Sequence, residues 1–352
     1  MIQPRILQPG DKVAIVSLSS GMLGEPFCSH HLEIGARRLK EFGLEPVFMP
    51  HSLKGIEYLD QHPEKRAEDL KRAFLDPAIK GVICAIGGDD TYRLLPYLME
   101  DREFTEAVQH SPKLFTGFSD TTINHFMFYR MGLQTFYGPC FICDLGEIAD
   151  EMLPYTKAAF MGYFRDYTTW KIGPSDVWYE ERIDFSKEAI GTERICHKEL
   201  HGYELLQGNS TFEGELLGGC LESIYDMLTS ARYEDEQKIC ERYQLFPDKE
   251  NWRGKIMFLE TCEEKPSPER FRKELEVIEK TGVLDVISGM LIGKPQDEQY
   301  YEEYKKVCLE VLGCRAFPIV YNVNFGHAAP RAALPYGAKA RVDAGIQLIS
   351  FA

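Results

Sequence analysis

The chain has 352 residues, with 40 Lys and Arg against 55 Asp and Glu and a formal net charge of -15. That balance excludes a polyanion-binding protein that works by charge, whether its partner is a nucleic acid polymer or an anionic membrane surface. At 44% hydrophobic and 27% charged, the composition is that of an ordinary globular protein long enough for about two domains of ~150 residues.

No apolar run approaches the ~18 residues that a membrane span needs, and the opening MIQPRILQPGDKVAIV lacks the basic-then-apolar layout of a secretory signal. The expectation is a cytoplasmic protein. Ten cysteines lie singly except for Cys140 and Cys143. No second Cys or His pair follows at zinc-site spacing, so they read as reduced thiols and neither a metal nor an organic cofactor is expected.

In chain order, short apolar runs alternate with helical patterns: strand KVAIVSLSS (12–20), helix HLEIGARRLKEFG (31–43), strand EPVFMP (45–50) and helix EKRAEDLKRAFLD (64–76). The rhythm continues with strand GVICAIGG (81–88), a helix over 91–99, strand KLFTGFS (113–119), helix TTINHFMFYRMG (121–132) and strand TFYGP (135–139). Unalternating apolar strands suit burial on both faces, which predicts an α/β fold with a parallel sheet between helices. Residues 140–185 show no regular period and contain Pro154 and Pro174, so they read as a connection, with the boundary near 165. The expected domains are therefore 1–165 and 166–352.

The second half reads as a mixed α/β domain with more antiparallel content. Strands are expected at 203–208 and 211–219, a helix at 220–230, a strand at 254–260 and a helix at 268–281. Then come a strand at 286–293, a helix at 300–313, a strand at 318–327 and two short strands.

In parallel sheets, functional groups gather at the carboxyl ends of the strands. The first such end, Ile86-Gly87-Gly88-Asp89-Asp90, could aim backbone N–H groups at a negative oxygen, or be a simple tight turn. It carries neither G-x-G-x-x-G nor a Walker lysine. The second, Gly117-Phe118-Ser119-Asp120-Thr121-Thr122, places Ser119 at a strand-to-helix elbow, with Thr121 where a nucleophile elbow has its second Gly. Ser119 and Asp120 are also ordinary helix caps, and the residues alone leave both readings open. The third comprises Phe258-Leu259-Glu260 and Asn324-Phe325-Gly326-His327. His327 alone of nine histidines closes an apolar strand, and Glu260 has Glu263 and Glu264 as rival acids. Together they supply the base and acid that a serine nucleophile needs.

These segments, with Thr135-Phe136-Tyr137-Gly138-Pro139 and Gly214-Glu215-Leu216-Leu217-Gly218-Gly219 between them, resemble in order and spacing the serine LD-carboxypeptidase family over nearly the whole chain. The resemblance implies an N-terminal flavodoxin-like domain, a smaller mixed α/β C-terminal domain and a homodimer. It places Ser119 on the nucleophile, Glu260 on the acid and His327 on the base, with oxyanion donors from the Gly88-Asp89 turn and from Asp120. The family has two branches: murein LD-carboxypeptidases, which release a terminal D-alanine, and peptidases similar to microcin C self-immunity proteins, which cleave aminoacyl- or peptidyl-nucleotide conjugates.

The turn Gly87-Gly88-Asp89-Asp90 and the segment Pro174-Ser175-Asp176-Val177-Trp178-Tyr179 resemble the second branch, whose Trp, here Trp178, stacks on a nucleobase. Packing is the alternative role for Trp178. Cys220 departs from that branch's usual Gly-Gly-Asn, and Asp90 stands where it has Asn. An acidic mouth of Asp89, Asp90 and Asp120 is a further expectation, as is the alternative of an inactive ligand-binding relative.

Overall fold

The computed structural model describes all 352 residues. Contacts divide them into two units, residues 1–166 with 182–194 and residues 167–181 with 195–352.

The first unit holds five parallel strands, β1 (Lys12–Val16), β2 (Glu45–Phe48), β3 (Ile79–Cys84), β4 (Leu114–Gly117) and β5 (Thr135–Tyr137). They run in the order β2-β1-β3-β4-β5. This is the flavodoxin-like order, whose functional crevice lies at the carboxyl ends of the strands. Val13 through Val16 and Val82 through Cys84 are fully buried, as unalternating apolar runs require. The helices are α1 (Ser29–Glu41), α2 (Ile56–Gln61), α3 (Pro63–Leu75), α4 (Leu95–Leu98), α5 (Arg102–His110), α6 (Thr121–Arg130) and α7 (Pro154–Gly162).

Helix α7 lies in the stretch that reads as irregular. Pro154 is its first residue, where the missing N–H costs nothing and the fixed φ favours the helix. Segment 182–194 is tied into this unit by charge: Glu147 meets Arg182 at 2.8 Å and Arg194 at 2.6 Å, with all three side chains at least nine-tenths buried. A buried carboxylate is tolerable only with such pairing.

The second unit is built on an eight-stranded sheet. Its strands are β6 (Lys171–Ile172), β9 (Glu204–Gln207), β10 (Thr211–Cys220), β11 (Ile256–Glu260), β12 (Gly289–Gly293), β13 (Ile319–Val323), β15 (Lys339–Asp343) and β16 (Leu348–Phe351), in the order β6-β16-β15-β10-β11-β12-β13-β9. β7 (Val177–Tyr179) and β8 (Cys196–Lys198) form a separate antiparallel pair, and β14 spans Leu334–Tyr336. The four central strands β10 to β13 are parallel, and antiparallel strands flank them on both sides. The helices are α8 (Leu221–Thr229), α9 (Glu236–Arg242), α10 (Pro268–Lys280) and α11 (Tyr301–Leu312). β13 ends at Val323, short of the expected 327, because Asn322 has φ +66° and Phe325 N–H turns back to the Val323 carbonyl. His327 is therefore carried by the loop that follows the strand.

Candidate active site

Ser119 sits between β4 and α6 with φ +67°, a left-handed conformation that a non-glycine residue holds only at a cost. Its amide donates to the Tyr137 hydroxyl at 3.1 Å. Asp120, at the N-cap of α6, makes no capping hydrogen bond with its side chain. Asp120 instead accepts the Thr91 N–H at 2.9 Å, so its carboxylate does not perform the capping role at α6 that sequence leaves open. Gly87 lies against the elbow: a Cβ there would stand 2.6 Å from Ser119 Cβ and 2.7 Å from its Oγ. Glycine thus lets the β3 turn approach the serine hydroxyl.

In that turn Gly88 has φ +148°. The amides of Asp89 and Asp90 both point at Ser19 Oγ, at 2.9 and 3.2 Å. Asp90 is clasped by Arg66 through two hydrogen bonds of 2.6 and 2.8 Å and by Arg93 at 2.9 Å. Burial would raise its pKa, but the two guanidinium groups outweigh that and lower it. Asp120 is fully enclosed, and burial pushes its carboxyl up to about 7, with Asp90 and Asp89 nearby adding to the rise. The expected acidic mouth is therefore corrected: Asp90 is neutralised by two arginines and Asp120 is an interior group.

In the second unit, β11 ends on Glu260 and the loop after β13 brings His327 beside it. Glu260 Oε2 accepts both the His327 backbone N–H at 3.0 Å and Nδ1–H at 2.8 Å, which fixes the ring position and keeps a proton on Nδ1. Gly326 makes the approach possible, having φ +81° and a position where a Cβ would stand 2.2 Å from Glu260 Cδ. His327 is 6% exposed and Glu260 2%. Burial alone would lower the imidazole pKa, but Glu260 and then Glu263 overcome it and hold it well above its ordinary value. The rival acids separate cleanly. Glu263 Oε2 lies 3.0 Å from Nε2, the opposite ring nitrogen, whereas Glu264 is paired with Arg270 at 2.6 Å and Arg232 at 3.3 Å.

Beneath this pair lies a polar group that sequence reading passed over, because Glu222 sits inside the helical pattern of α8. It is 3% exposed and accepts the Cys262 N–H at 3.0 Å and the Cys220 thiol at 3.2 Å. Burial, then the Glu260 charge, raises its pKa. Donor atoms of Cys220, Glu260 and His327 lie within 4.8 Å of one another. Each is already committed in a proton-sharing set, with thiol to Glu222 and imidazole to Glu260.

Trp178, on β7, is 9% exposed. Its ring stacks on His197 of β8 at 4.2 Å and 19°, and Lys294 Nζ stands 5.3 Å from its centroid. That lysine is itself buried and pairs with Glu199 at 2.9 Å and Glu298 at 2.6 Å. All ten cysteines are free.

A strained serine elbow in one unit and a carboxylate–imidazole pair in the other are the parts from which serine hydrolases are built. Residues 13–138 match the LD-carboxypeptidase N-terminal domain and residues 213–342 the LD-carboxypeptidase C-terminal domain, so the chain belongs to the LD-carboxypeptidase family and is a serine-type carboxypeptidase. A solved MccF-like protein from Streptococcus pneumoniae, in complex with AMP, is 50% identical with a TM-score of 0.93 and covers 97% of this chain and 98% of its own. A Bacillus subtilis protein named "probable murein peptide carboxypeptidase" is 26% identical over 97% of this chain and 91% of its own. The Escherichia coli microcin C7 self-immunity protein MccF is 25% identical over 80% of this chain and 76% of its own. No helix is long and apolar enough to cross a membrane.

Proposed function

We propose that the protein hydrolyses the amide-type bond joining an aminoacyl or peptidyl group to a modified nucleotide, the microcin-immunity-like reaction. The observation that carries this reading is the 50% identity, over nearly the full length, with an MccF-like protein bound to AMP.

In the proposed mechanism Ser119 Oγ attacks the carbonyl carbon while His327 Nε2 takes its proton. Glu260, already on Nδ1, holds the ring and stabilises the imidazolium. The nitrogen leaving group departs with the proton that His327 returns, and water then repeats the cycle on the acyl-serine to release the free acid. The oxyanion is held by the amides of Asp120 and of the Gly88-Asp89 turn. Gly88 is the donor there, since the Asp89 amide is committed to Ser19. Such donors contribute about 2.7–4 kcal/mol each in other hydrolases.

Trp178 is the proposed nucleobase platform, its ring already stacked with His197. Domain 1–165 carries the nucleophile and oxyanion turn, and domain 166–352 the acid and base. We place the enzyme in the cytoplasm as a homodimer that confers resistance to aminoacyl-nucleotide antibiotics. No metal or organic cofactor enters the scheme.

The test is hydrolysis of an aspartyl sulfamoyl-adenosine and of a murein tetrapeptide, followed by mass spectrometry, with wild type and Ser119→Ala. Serine-dependent cleavage of the first supports the reading. Cleavage of the tetrapeptide alone moves the protein to release of D-alanine from peptidoglycan, the reading favoured by the Bacillus subtilis relative. Binding of either substrate without any turnover would indicate an inactive relative.

A further inference from the structure

The base that the proposed chemistry requires is occupied. A general base must present a free lone pair on the nitrogen facing the reacting proton. Here both nitrogens of His327 face carboxylates, Glu260 at 2.8 Å on Nδ1 and Glu263 at 3.0 Å on Nε2. A ring that donates from both nitrogens is an imidazolium, and two carboxylates at these distances favour that charged state of His327.

The two carboxylates are unequal. The Glu260 side chain is 1% exposed and ends a central strand, whereas the Glu263 side chain is 64% exposed and lies on the loop between β11 and α10. That loop is pinned on the far side of Glu263 by Glu264, held by Arg270 and Arg232, and by the Lys265–Asp297 pair. Glu263 is therefore the movable member of the pair, in a loop whose neighbouring residues are fixed.

A cation other than the imidazolium would compete for this exposed carboxylate and draw it off His327. Within the reading proposed above, the substrate supplies one: the α-ammonium of an unblocked aminoacyl group is attached to the carbon next to the scissile carbonyl. We propose that Glu263 is the specificity-determining gate on the base, receiving a cationic substrate group such as a free α-ammonium and giving up His327 Nε2 in exchange. The exchange is of ion pairs only, with no bond made or broken, and Glu263 stays paired throughout.

The other polar and charged groups around His327 take no part in this exchange. Glu260 faces it from β11, Glu222 and Cys220 lie beneath it, and Arg331 donates to the His327 carbonyl at 3.0 Å. Arg232 acts on Glu263 from the segment after α8.

The test compares wild type with Glu263→Gln by two readouts. The first is the pH titration of the His327 imidazole in the ligand-free protein by heteronuclear NMR. Removing an anion from Nε2 must lower the pH at which the ring loses its proton, and an unchanged titration overturns the gate. The second is kcat/KM for a free-amine aminoacyl sulfamoyl-adenosine and for its N-acetylated counterpart. Wild type is expected to prefer the free amine by about tenfold or more, the order of one charge-assisted hydrogen bond. In Glu263→Gln that preference collapses, and the acid limb of the N-acetyl profile moves to lower pH. The same preference in both proteins overturns the proposal. If wild type cuts neither conjugate, the nucleotide reading fails and amine selection with it, while the NMR titration still decides whether Glu263 holds the base.

Discussion

Substituting Asp120 with Asn should flatten the pH dependence of stability between about pH 4 and 7. Asp120 is 3% exposed, and its carboxyl titrates at about 7 in the folded protein against an ordinary 3.8. Between those values the unfolded chain has lost this proton and the folded protein keeps it. The folded state then binds more protons, and stability falls as pH rises. At 1.36 kcal/mol per unit, the gap corresponds to about 4 kcal/mol at full ionisation, an upper figure for one enclosed carboxylate. Asn keeps an oxygen to accept the Thr91 N–H, now at 2.9 Å, and has no proton to lose. Urea denaturation of both proteins at pH 4.5, 6 and 7.5 measures the effect. The variant should gain on wild type as pH rises, by up to about 4 kcal/mol above pH 7. Parallel stability profiles would refute the reasoning, since they would mean that the carboxyl is ionised at an ordinary pH despite its burial.

Glu260→Gln should leave the ring position almost unaltered but withdraw the charge on Nδ1, lowering kcat by a factor on the order of 10⁴, as in other triads. Steady-state kinetics with an unchanged circular dichroism spectrum checks this. Gly87→Ala places a methyl 2.6 Å from Ser119 Cβ and should cost about a hundredfold in kcat/KM, the order expected when a reacting group is displaced by about 1 Å. A thermal midpoint within a few degrees of wild type would locate that loss at the elbow. Arg66→Met removes the buried partner of Asp90 and should destabilise by about 3–5 kcal/mol. Thermal unfolding of Arg66→Met with Asp90→Asn, which should recover most of the loss, distinguishes charge from packing.

The parallel sheet was readable because its strands are apolar on both faces, as in Val13 to Val16 and Val82 to Cys84. The candidates Ser119, Glu260 and His327 stood out because each interrupts or closes such a run. What could not be read depends on partners remote in sequence or on backbone torsion. Asp90 looks like an exposed acid until Arg66, 24 residues earlier, is found against it. Glu263 and Glu264 are adjacent and chemically identical, yet one faces His327 and the other two arginines, a difference set by loop geometry alone. Pro154 signals a break by composition and a helix start by position.

The route of the chain has a consequence for dissection. It leaves the first unit after residue 166, returns for 182–194 and leaves again, so three covalent passages join the units. A fragment ending at Asp166 would keep Glu147 and lack both Arg182 and Arg194, the two side chains its carboxylate pairs with. Such a half is expected to be less stable than the same residues in the whole chain. Expressed in two pieces, this enzyme should be recoverable only when the arginine-bearing segment travels with the N-terminal piece or is supplied to it in trans.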